Sequence, residues 1–244
     1  MSSILRDNLV AVRERLAQAA ARAGRDPGAV TLVAVTKSAT PAAAAELASL
    51  GALDLGESRV QPLAEKAAAL AAAGLAPRWH FLGHVQRNKA RRVVELAHTI
   101  HSLDSLALLE TLARLALERG SDVQAFVEVK LSAEASKSGL APSALPALLA
   151  AARAHPRVQL LGLMTMPPLA PDEKAQHRAA RAAFQELAAL AKDLARRAET
   201  ARAFAGGRVR LSMGMSADFE IAIEEGSDFV RVGSALFAGE RSAA

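Results

Sequence analysis

The sequence of 244 residues contains no cysteine and no tyrosine, and only 3% of its residues are aromatic. The lack of cysteine excludes disulfides, thiolate metal sites and cysteine nucleophiles. The lack of tyrosine excludes a tyrosyl group as catalytic acid or base. With so few aromatic rings, the core must be mainly aliphatic. Alanine, a strong helix former, supplies much of the 51% hydrophobic content.

Long apolar runs are missing as well. No stretch approaches the roughly 18 uncharged residues that a membrane-spanning helix needs. The first segment, MSSILRDNLVAVRERL, places charges among its apolar residues, unlike a signal peptide. The sequence therefore predicts a cytoplasmic protein that makes no membrane contact.

The formal net charge of +5 leaves two interpretations open, a nucleic-acid-binding surface or arginine-rich helix surfaces. Acidic residues lie between most of the basic ones. The most basic short run, QRNKARR at 86–92, has no interleaved aromatic residues on which bases could stack. This pattern favours solvated helix surfaces and predicts no binding to nucleic acid.

Short β-branched runs alternate with longer alanine- and leucine-rich runs, which is typical of βα units around a parallel sheet. Strands are predicted at 31–37, 54–57, 79–83, 98–103, 123–130, 158–166, 208–214 and 228–234. Helices are predicted at 3–23, 41–51, 59–73, 86–97, 105–119, 143–154, 172–203 and 217–225. Eight such units in a chain of this size predict an α/β fold, a closed (β/α)8 TIM-type barrel with an extra N-terminal helix. No linker or composition shift divides the chain, so we expect one domain over 1–244.

Active sites of such barrels lie at the C-terminal ends of the strands. Lys37 stands out there because the otherwise apolar LVAV run leads to this lone lysine. A lysine amine in a partly desolvated site can form a Schiff base. A strand-end lysine that extends its amine to solvent is the alternative. Other polar or sulfur-containing residues at predicted strand ends are Glu57, His84, Lys130 and Met166.

The last two strand ends suggest phosphate binding. SMGMS at 212–216 and VRVGSALF at 230–237 bring glycine and serine together after a strand. Backbone N–H groups and glycine favour phosphate at such turns, and TIM barrels often bind phosphate after strands seven and eight. Arg231 precedes Gly233 by two residues, so both are predicted on one face of the strand. An ion pair between Arg231 and a carboxylate such as Glu57 is the alternative.

These segments together resemble the pyridoxal phosphate homeostasis proteins, stand-alone barrels related to the N-terminal domain of alanine racemase. The matching segments run in order along about 200 residues. They are LVAVTK at 32–37, GESRVQ at 56–61, WHFLGHVQRNK at 79–89, HSLDS at 101–105, SKSG at 136–139, GLMTM at 162–166 and LSMGMSADFEIAIEEGSDFVRVGSALF at 211–237.

The resemblance implies that pyridoxal 5′-phosphate (PLP) forms a Schiff base with Lys37. It also implies that Arg231 lies near the pyridine nitrogen, where it keeps that nitrogen unprotonated and weakens the cofactor as an electron sink. The residues implied around the phosphate are Ser212, Met213, Gly214, Gly233 and Ser234, with nearby backbone amides.

Secondary contacts to the cofactor are expected from Glu57, Ser58, His84, Met166 and Lys137. Lys137 is interpreted either as a mobile second site or as a solvated surface lysine. The chain departs from the family pattern at three positions. Ser58 replaces a usual asparagine, Lys130 a small polar residue, and His84 a frequent proline.

The resemblance implies a carrier and regulator of PLP that is not an enzyme, hands PLP to apoenzymes and is a monomer. A PLP-dependent amino-acid racemase is the main alternative. Racemases of this type add a second domain with a catalytic tyrosine, and we expect neither here. A phosphosugar isomerase, which would bind phosphate without a Schiff base, is a further alternative.

Overall fold

A computed structural model describes residues 4–131 and 138–239. Eight parallel strands follow one another around a closed barrel, and β8 pairs with β1 to complete it. This architecture confirms the predicted (β/α)8 barrel. The strands are β1 (Thr31–Val35), β2 (Asp54–Glu57), β3 (Arg78–Phe81), β4 (Thr99–Leu103), β5 (Val123–Glu128), β6 (Val158–Met164), β7 (Arg210–Met215) and β8 (Phe229–Val232).

Helices surround the barrel and bury alanine- and leucine-rich faces against it. They are α1 (Ile4–Arg22), α2 (Pro41–Ser49), α3 (Val60–Ala72), α4 (Ala90–Leu96), α5 (Leu106–Arg119), α6 (Leu145–Ala152), α7 (Glu173–Arg196), α8 (Ala198–Ala201) and α9 (Phe219–Glu224). Among the described residues, no helix is both long and apolar enough to cross a membrane.

Helix α1 is the predicted extra N-terminal helix. Its buried residues recur every three or four positions, which places them on one face of the helix. The helix packs beside α9, and Arg15 donates to Glu220 there at 2.6 Å. The Asn8 amide donates to the carbonyls of Leu236 and Ala238, each at 2.9 Å. Helix α1 therefore braces the segment that follows β8.

Five of the predicted strands end earlier than expected, and in β1 and β5 this changes the position of a candidate lysine. β1 ends at Val35, so Lys37 lies two residues beyond it, because the Thr36 carbonyl turns to accept from the Ala39 amide at 2.9 Å. β5 ends at Glu128, so Lys130 also lies beyond its strand, where its amide donates to the Leu140 carbonyl at 3.0 Å. Both lysines therefore sit on loops.

The helix predicted at 172–203 is confirmed up to Arg196 and differs only in its last residues. α7 ends at Arg196 and α8 is a separate short helix, because Arg197 between them is extended. The Thr200 hydroxyl donates to the Leu194 carbonyl at 2.6 Å and so satisfies one of the last carbonyls of α7. The helix predicted at 86–97 begins instead with a 3₁₀ turn, and α4 covers only its second part.

The interior of the barrel combines aromatic and polar side chains. Phe126 and Phe229 meet edge to face with 5.1 Å between ring centroids, and His101 stacks on Phe126 at 4.8 Å. Beside these rings lie the buried side chains of Asp54, His80, Ser212 and Arg231. We call the carboxyl ends of the strands the mouth and their amino ends the base.

Candidate functional site

Lys37 lies at the mouth with an exposed side chain. Its amine makes no hydrogen bond or ion pair with the described residues 4–131 and 138–239. The preceding residue, Thr36, is buried, and both its amide and its hydroxyl donate to the Gly56 carbonyl, at 2.8 and 3.1 Å. The backbone is therefore fixed directly before a lysine whose amine is accessible.

A buried ion pair supports this position. Lys66 on α3 donates to the Thr36 carbonyl at 2.5 Å and to the Glu57 carboxylate at 2.6 Å. Glu57 is fully buried and also accepts from the amides of Ser58 and Arg59. Glu57 therefore braces the loops after β1 and β2. The alternative in which Glu57 pairs with Arg231 is wrong, because Glu57 pairs with Lys66.

A group of backbone donors lies beside Lys37. β1 pairs with β8, so the loops that follow the two strands are neighbours. The two backbones are close at Gly233, where an added Cβ would lie 3.3 Å from the Val35 carbonyl oxygen. The amides of Gly233 and Ala235 both point at the hydroxyl oxygen of Ser216, at 3.1 and 3.4 Å. Ser234, between them, is exposed. Two amides and the Ser216 hydroxyl thus meet at one edge of the mouth, next to the exposed Ser234, an arrangement suited to phosphate.

Gly214 shapes the approach to this edge. Its φ is +94°, a conformation that side chains rarely adopt, and a Cβ there would lie 2.5 Å from the Ala222 Cβ. The glycine therefore lets α9 pack closely against the end of β7. Met213 is fully buried in the outer core, so its side chain does not reach the mouth.

Ser212 lies deeper than expected for a phosphate ligand. It is fully buried inside the barrel, where its hydroxyl accepts from Arg231 at 2.7 Å and lies 2.8 Å from Nδ1 of His101. The hydroxyl found at the amides after β8 is that of Ser216, four residues further on. The SMGMS segment contained both serines, and the sequence did not indicate which one reaches the mouth.

Arg231 is buried beneath the mouth. Its guanidinium donates to the Ser212 hydroxyl and, at 3.1 Å, to the Thr165 carbonyl. No carboxylate within the described ranges forms an ion pair with it. Burial lowers the pKa of Arg231 to about 10, and the fields of Asp218 and Glu128 oppose that shift. The group therefore remains a cation at neutral pH.

The opposite side of the mouth carries acidic groups. His84 is exposed, and its Nδ1 lies 3.0 Å from a carboxylate oxygen of Asp104. Glu128 is buried and accepts from the Ser138 hydroxyl at 2.9 Å. Burial raises the pKa of Glu128 despite that hydrogen bond.

Of the remaining secondary residues, the structure brings Ser58 and His84 together. Ser58 and His84 line one groove of about 660 Å³ with Phe81 and Lys89. Met166 is 43% exposed beyond β6. Lys137 lies outside the described residues. For each of these side chains, contact with a cofactor stays a prediction.

Sequence reasoning missed three interior residues, Asp54, His80 and His101. All three are buried and hydrogen-bonded to one another in series. A signal was present, because each is a polar residue at an inward position of a predicted strand, where an apolar residue is the norm.

Comparison with known proteins identifies the family. Residues 8–241 match the family described as the alanine racemase N-terminal domain. The chain belongs to this family. A pyridoxal phosphate homeostasis protein of Pseudomonas aeruginosa is 40% identical over 235 residues, which are 96% of this chain and 95% of the relative. The Escherichia coli K12 protein of the same name is 34% identical, over 94% of each chain.

Solved structures agree with this family membership. PipY of Synechococcus elongatus, solved with PLP bound, superposes with a TM-score of 0.81 at 34% identity over 96% of this chain and 100% of PipY. Alanine racemase of Corynebacterium glutamicum superposes with a TM-score of 0.65 at 17% identity. That match covers 98% of this chain and 63% of the racemase, and it shows a common fold.

Proposed function

We propose that this protein binds PLP at the mouth of the barrel, as a Schiff base on Lys37, and takes part in cellular PLP homeostasis without robust catalysis. The observation that carries the proposal is the position of Lys37. Its exposed amine neighbours the amides of Gly233 and Ala235, and the cationic Arg231 lies beneath the same mouth. A PLP site requires three groups: an amine for the aldehyde, hydrogen-bond donors for the phosphate and a partner for the ring nitrogen.

Each group has a distinct task. The Lys37 amine condenses with the PLP aldehyde, and one molecule of water leaves. The amides of Gly233 and Ala235, with the hydroxyls of Ser216 and Ser234, bind the phosphate. Arg231 donates a hydrogen bond to the ring nitrogen. When bound, PLP supplies an aldehyde and an electron-withdrawing ring.

The role in homeostasis follows the names of the relatives. Two pyridoxal phosphate homeostasis proteins cover most of this chain, and PipY, which aligns along its whole length, binds PLP. A carrier of this kind would hold a reactive aldehyde reversibly and release it to PLP-dependent apoenzymes. We place that role in the cytoplasm and expect a monomeric carrier.

Borohydride trapping tests the attachment. Purified protein incubated with PLP should absorb visible light, and reduction followed by peptide mapping should find the pyridoxyl group on Lys37. Lys37→Ala should lose this label and remain folded, because the side chain is exposed and contributes little to the core. Lys130→Ala is the matched control and should keep the label. A label found mainly on Lys130 or Lys137 would contradict the assignment.

A further inference from the structure

A continuous line of polar side chains crosses the interior of the barrel from its base to Arg231. Near the base, Asp54 on β2 lies 2.9 Å from Nε2 of His80, and the other ring nitrogen of His80 lies 2.9 Å from Nε2 of His101. His101 lies 2.8 Å from the Ser212 hydroxyl, which accepts from Arg231 at 2.7 Å. We call these five residues the Asp54–Arg231 relay. Four hydrogen-bond contacts connect its two ends.

The inner members of the relay are shielded from water. His101 and Ser212 are fully buried, and the other three members are at most 8% exposed. Phe126 stacks on His101, and Phe229 lies 6.1 Å from both imidazole rings, centroid to centroid. A buried polar group that loses its partner in such surroundings costs free energy because water does not replace the partner. Each member therefore depends on its neighbour in the line.

The two ends of the relay carry opposite charges. Arg231 remains a cation despite its burial. At the base, Asp54 accepts from Arg78 at 2.5 and 2.7 Å in addition to its contact with His80. Burial alone would raise the pKa of Asp54, but the hydrogen bonds from His80 and Arg78 outweigh it and lower that pKa to about 2. A carboxylate thus lies at one end of the Asp54–Arg231 relay and a guanidinium at the other.

The imidazole next to Ser212 is neutral. His101 packs against the two phenylalanine rings, and the charged or titratable groups that face it are His80 and Arg231. Burial, and then the fields of His80 and Arg231, hold the pKa of His101 well below its ordinary value. One ring nitrogen of His101 therefore donates and the other accepts.

The charged ends decide the direction of the hydrogen bonds. Arg231 can only donate and the Asp54 carboxylate can only accept. Ser212 then accepts from Arg231 and donates to Nδ1 of His101. His101 donates from Nε2 to Nδ1 of His80, and His80 donates from Nε2 to Asp54. This direction satisfies all four contacts when each imidazole carries its proton on Nε2.

We propose that His80 and His101 are positioning residues that couple the Asp54 carboxylate at the base to Arg231 at the mouth, so that the guanidinium is held in a fixed orientation facing the ring nitrogen of PLP. This inference rests on the proposed function for the identity of the ligand. Arg231 uses two of its five N–H donors on Ser212 and Thr165, and the others remain for the ring. The relay fixes the guanidinium although no carboxylate of the described residues forms an ion pair with it, and such a partner would compete with the ligand for those donors.

Nitrogen NMR of the protein without PLP tests the relay itself. With ¹⁵N-labelled histidine, we expect Nε2 of His80 and Nε2 of His101 to carry protons, and Nδ1 of each ring to accept a hydrogen bond. An imidazolium at His80, or a proton on Nδ1 of His101, would overturn the proposed direction. This readout does not involve PLP, so it stands even if the proposed function fails.

Ligand binding tests the coupling. Asp54→Asn removes the charge at the base and keeps an oxygen that accepts from His80. We expect this variant to bind PLP about tenfold more weakly, the size of effect for a weakened hydrogen bond to a charged group. The analogue in which carbon replaces the ring nitrogen should bind the variant and the unmodified protein equally. Equal weakening of both ligands, or unchanged affinity for PLP, would overturn the proposal.

Two further variants complete the experiment. Asp122 lines a cavity of about 490 Å³ at the base together with Asp54 and His80, and it forms an exposed ion pair with Arg157. Asp122→Asn removes this carboxylate and should leave the affinity for PLP unchanged. His101→Phe keeps a ring stacked on Phe126 and breaks the relay in its middle. This variant should show the same selective loss of affinity for PLP. It also decides the question if Asp54→Asn does not fold. If neither ligand binds the unmodified protein, the proposed function fails and the NMR result alone decides on the relay.

Discussion

At the scale of single residues, the two serines of the SMGMS segment have different environments although they are four positions apart. Ser212 lies inside the barrel against Arg231 and His101, whereas Ser216 lies beyond β7 at the amides of Gly233 and Ala235. Four residues of strand span about 13 Å, enough to separate a site beneath the cofactor ring from one at its phosphate. The same residue type can therefore serve both ends of one ligand.

Ser216→Asp should weaken the binding of PLP far more than that of pyridoxal. The new carboxylate would lie where the amides of Gly233 and Ala235 converge and would repel the phosphate at close range. Pyridoxal has no phosphate and avoids that repulsion. Titrations with both ligands, followed by visible absorbance, measure the difference. Equal losses for the two ligands would show that the phosphate does not bind at this edge.

At the scale of elements, α9 and the end of β7 hold the edge of the mouth with the proposed phosphate site in place. Gly214 allows their close approach, the buried hydroxyl of Ser227 donates to the Met213 carbonyl at 2.8 Å, and the Met215 amide donates to Asp218 at 2.6 Å. Helix α1 then covers α9 and holds the segment after β8 through Asn8. The predicted extra helix thus has a definite place, behind the proposed phosphate site.

Gly214→Ala should destabilise the protein by about 2–4 kcal/mol, because it adds a clash to an unfavourable positive φ. The added methyl group would lie 2.5 Å from the Ala222 Cβ and 3.0 Å from the Phe219 Cα. Gly74→Ala is the matched control. Its φ is +72° with nothing within 4 Å of the new Cβ, so we expect a loss of about 1 kcal/mol. If the two variants lose the same free energy of unfolding in denaturant titrations, close packing at Gly214 is unimportant.

At the scale of the whole molecule, the barrel gathers groups that suit binding more than carbanion chemistry. Racemisation requires a base on each face of the substrate carbanion and an electron-poor cofactor ring. The sequence has no tyrosine. In the proposed complex, the cationic Arg231, with its pKa of about 10, donates to the ring nitrogen without passing its proton to that nitrogen at neutral pH.

We therefore expect PLP-loaded protein to produce no D-alanine at an enzyme-like rate. Incubation with L-alanine in heavy water, with α-deuteration and D-alanine followed separately, measures this directly. Slow deuteration without D-alanine would fit a site with one base, Lys37. Turnover near about 1 s⁻¹ or faster would contradict the carrier role. Loss of that turnover in Lys130→Ala would then identify the second base.

The sequence by itself determined the barrel and the edge of the mouth that carries the proposed site. Alternating β-branched and alanine-rich runs reflect local backbone preferences, so eight βα units were predictable without any knowledge of distant contacts. Lys37, Arg231 and Gly233 were predictable for the same reason, since each lies at or near a strand end. The matching segments along the chain identified the family.

Only the tertiary structure decided which polar groups meet. The contacts of the Asp54–Arg231 relay join residues 26, 21, 111 and 19 positions apart, and they form because the closed barrel brings β2, β3, β4, β7 and β8 around one interior. The pairing of Glu57 with Lys66 and the different environments of Ser212 and Ser216 have the same origin. Buried polar atoms must find partners, and register and closure set which partners are within reach.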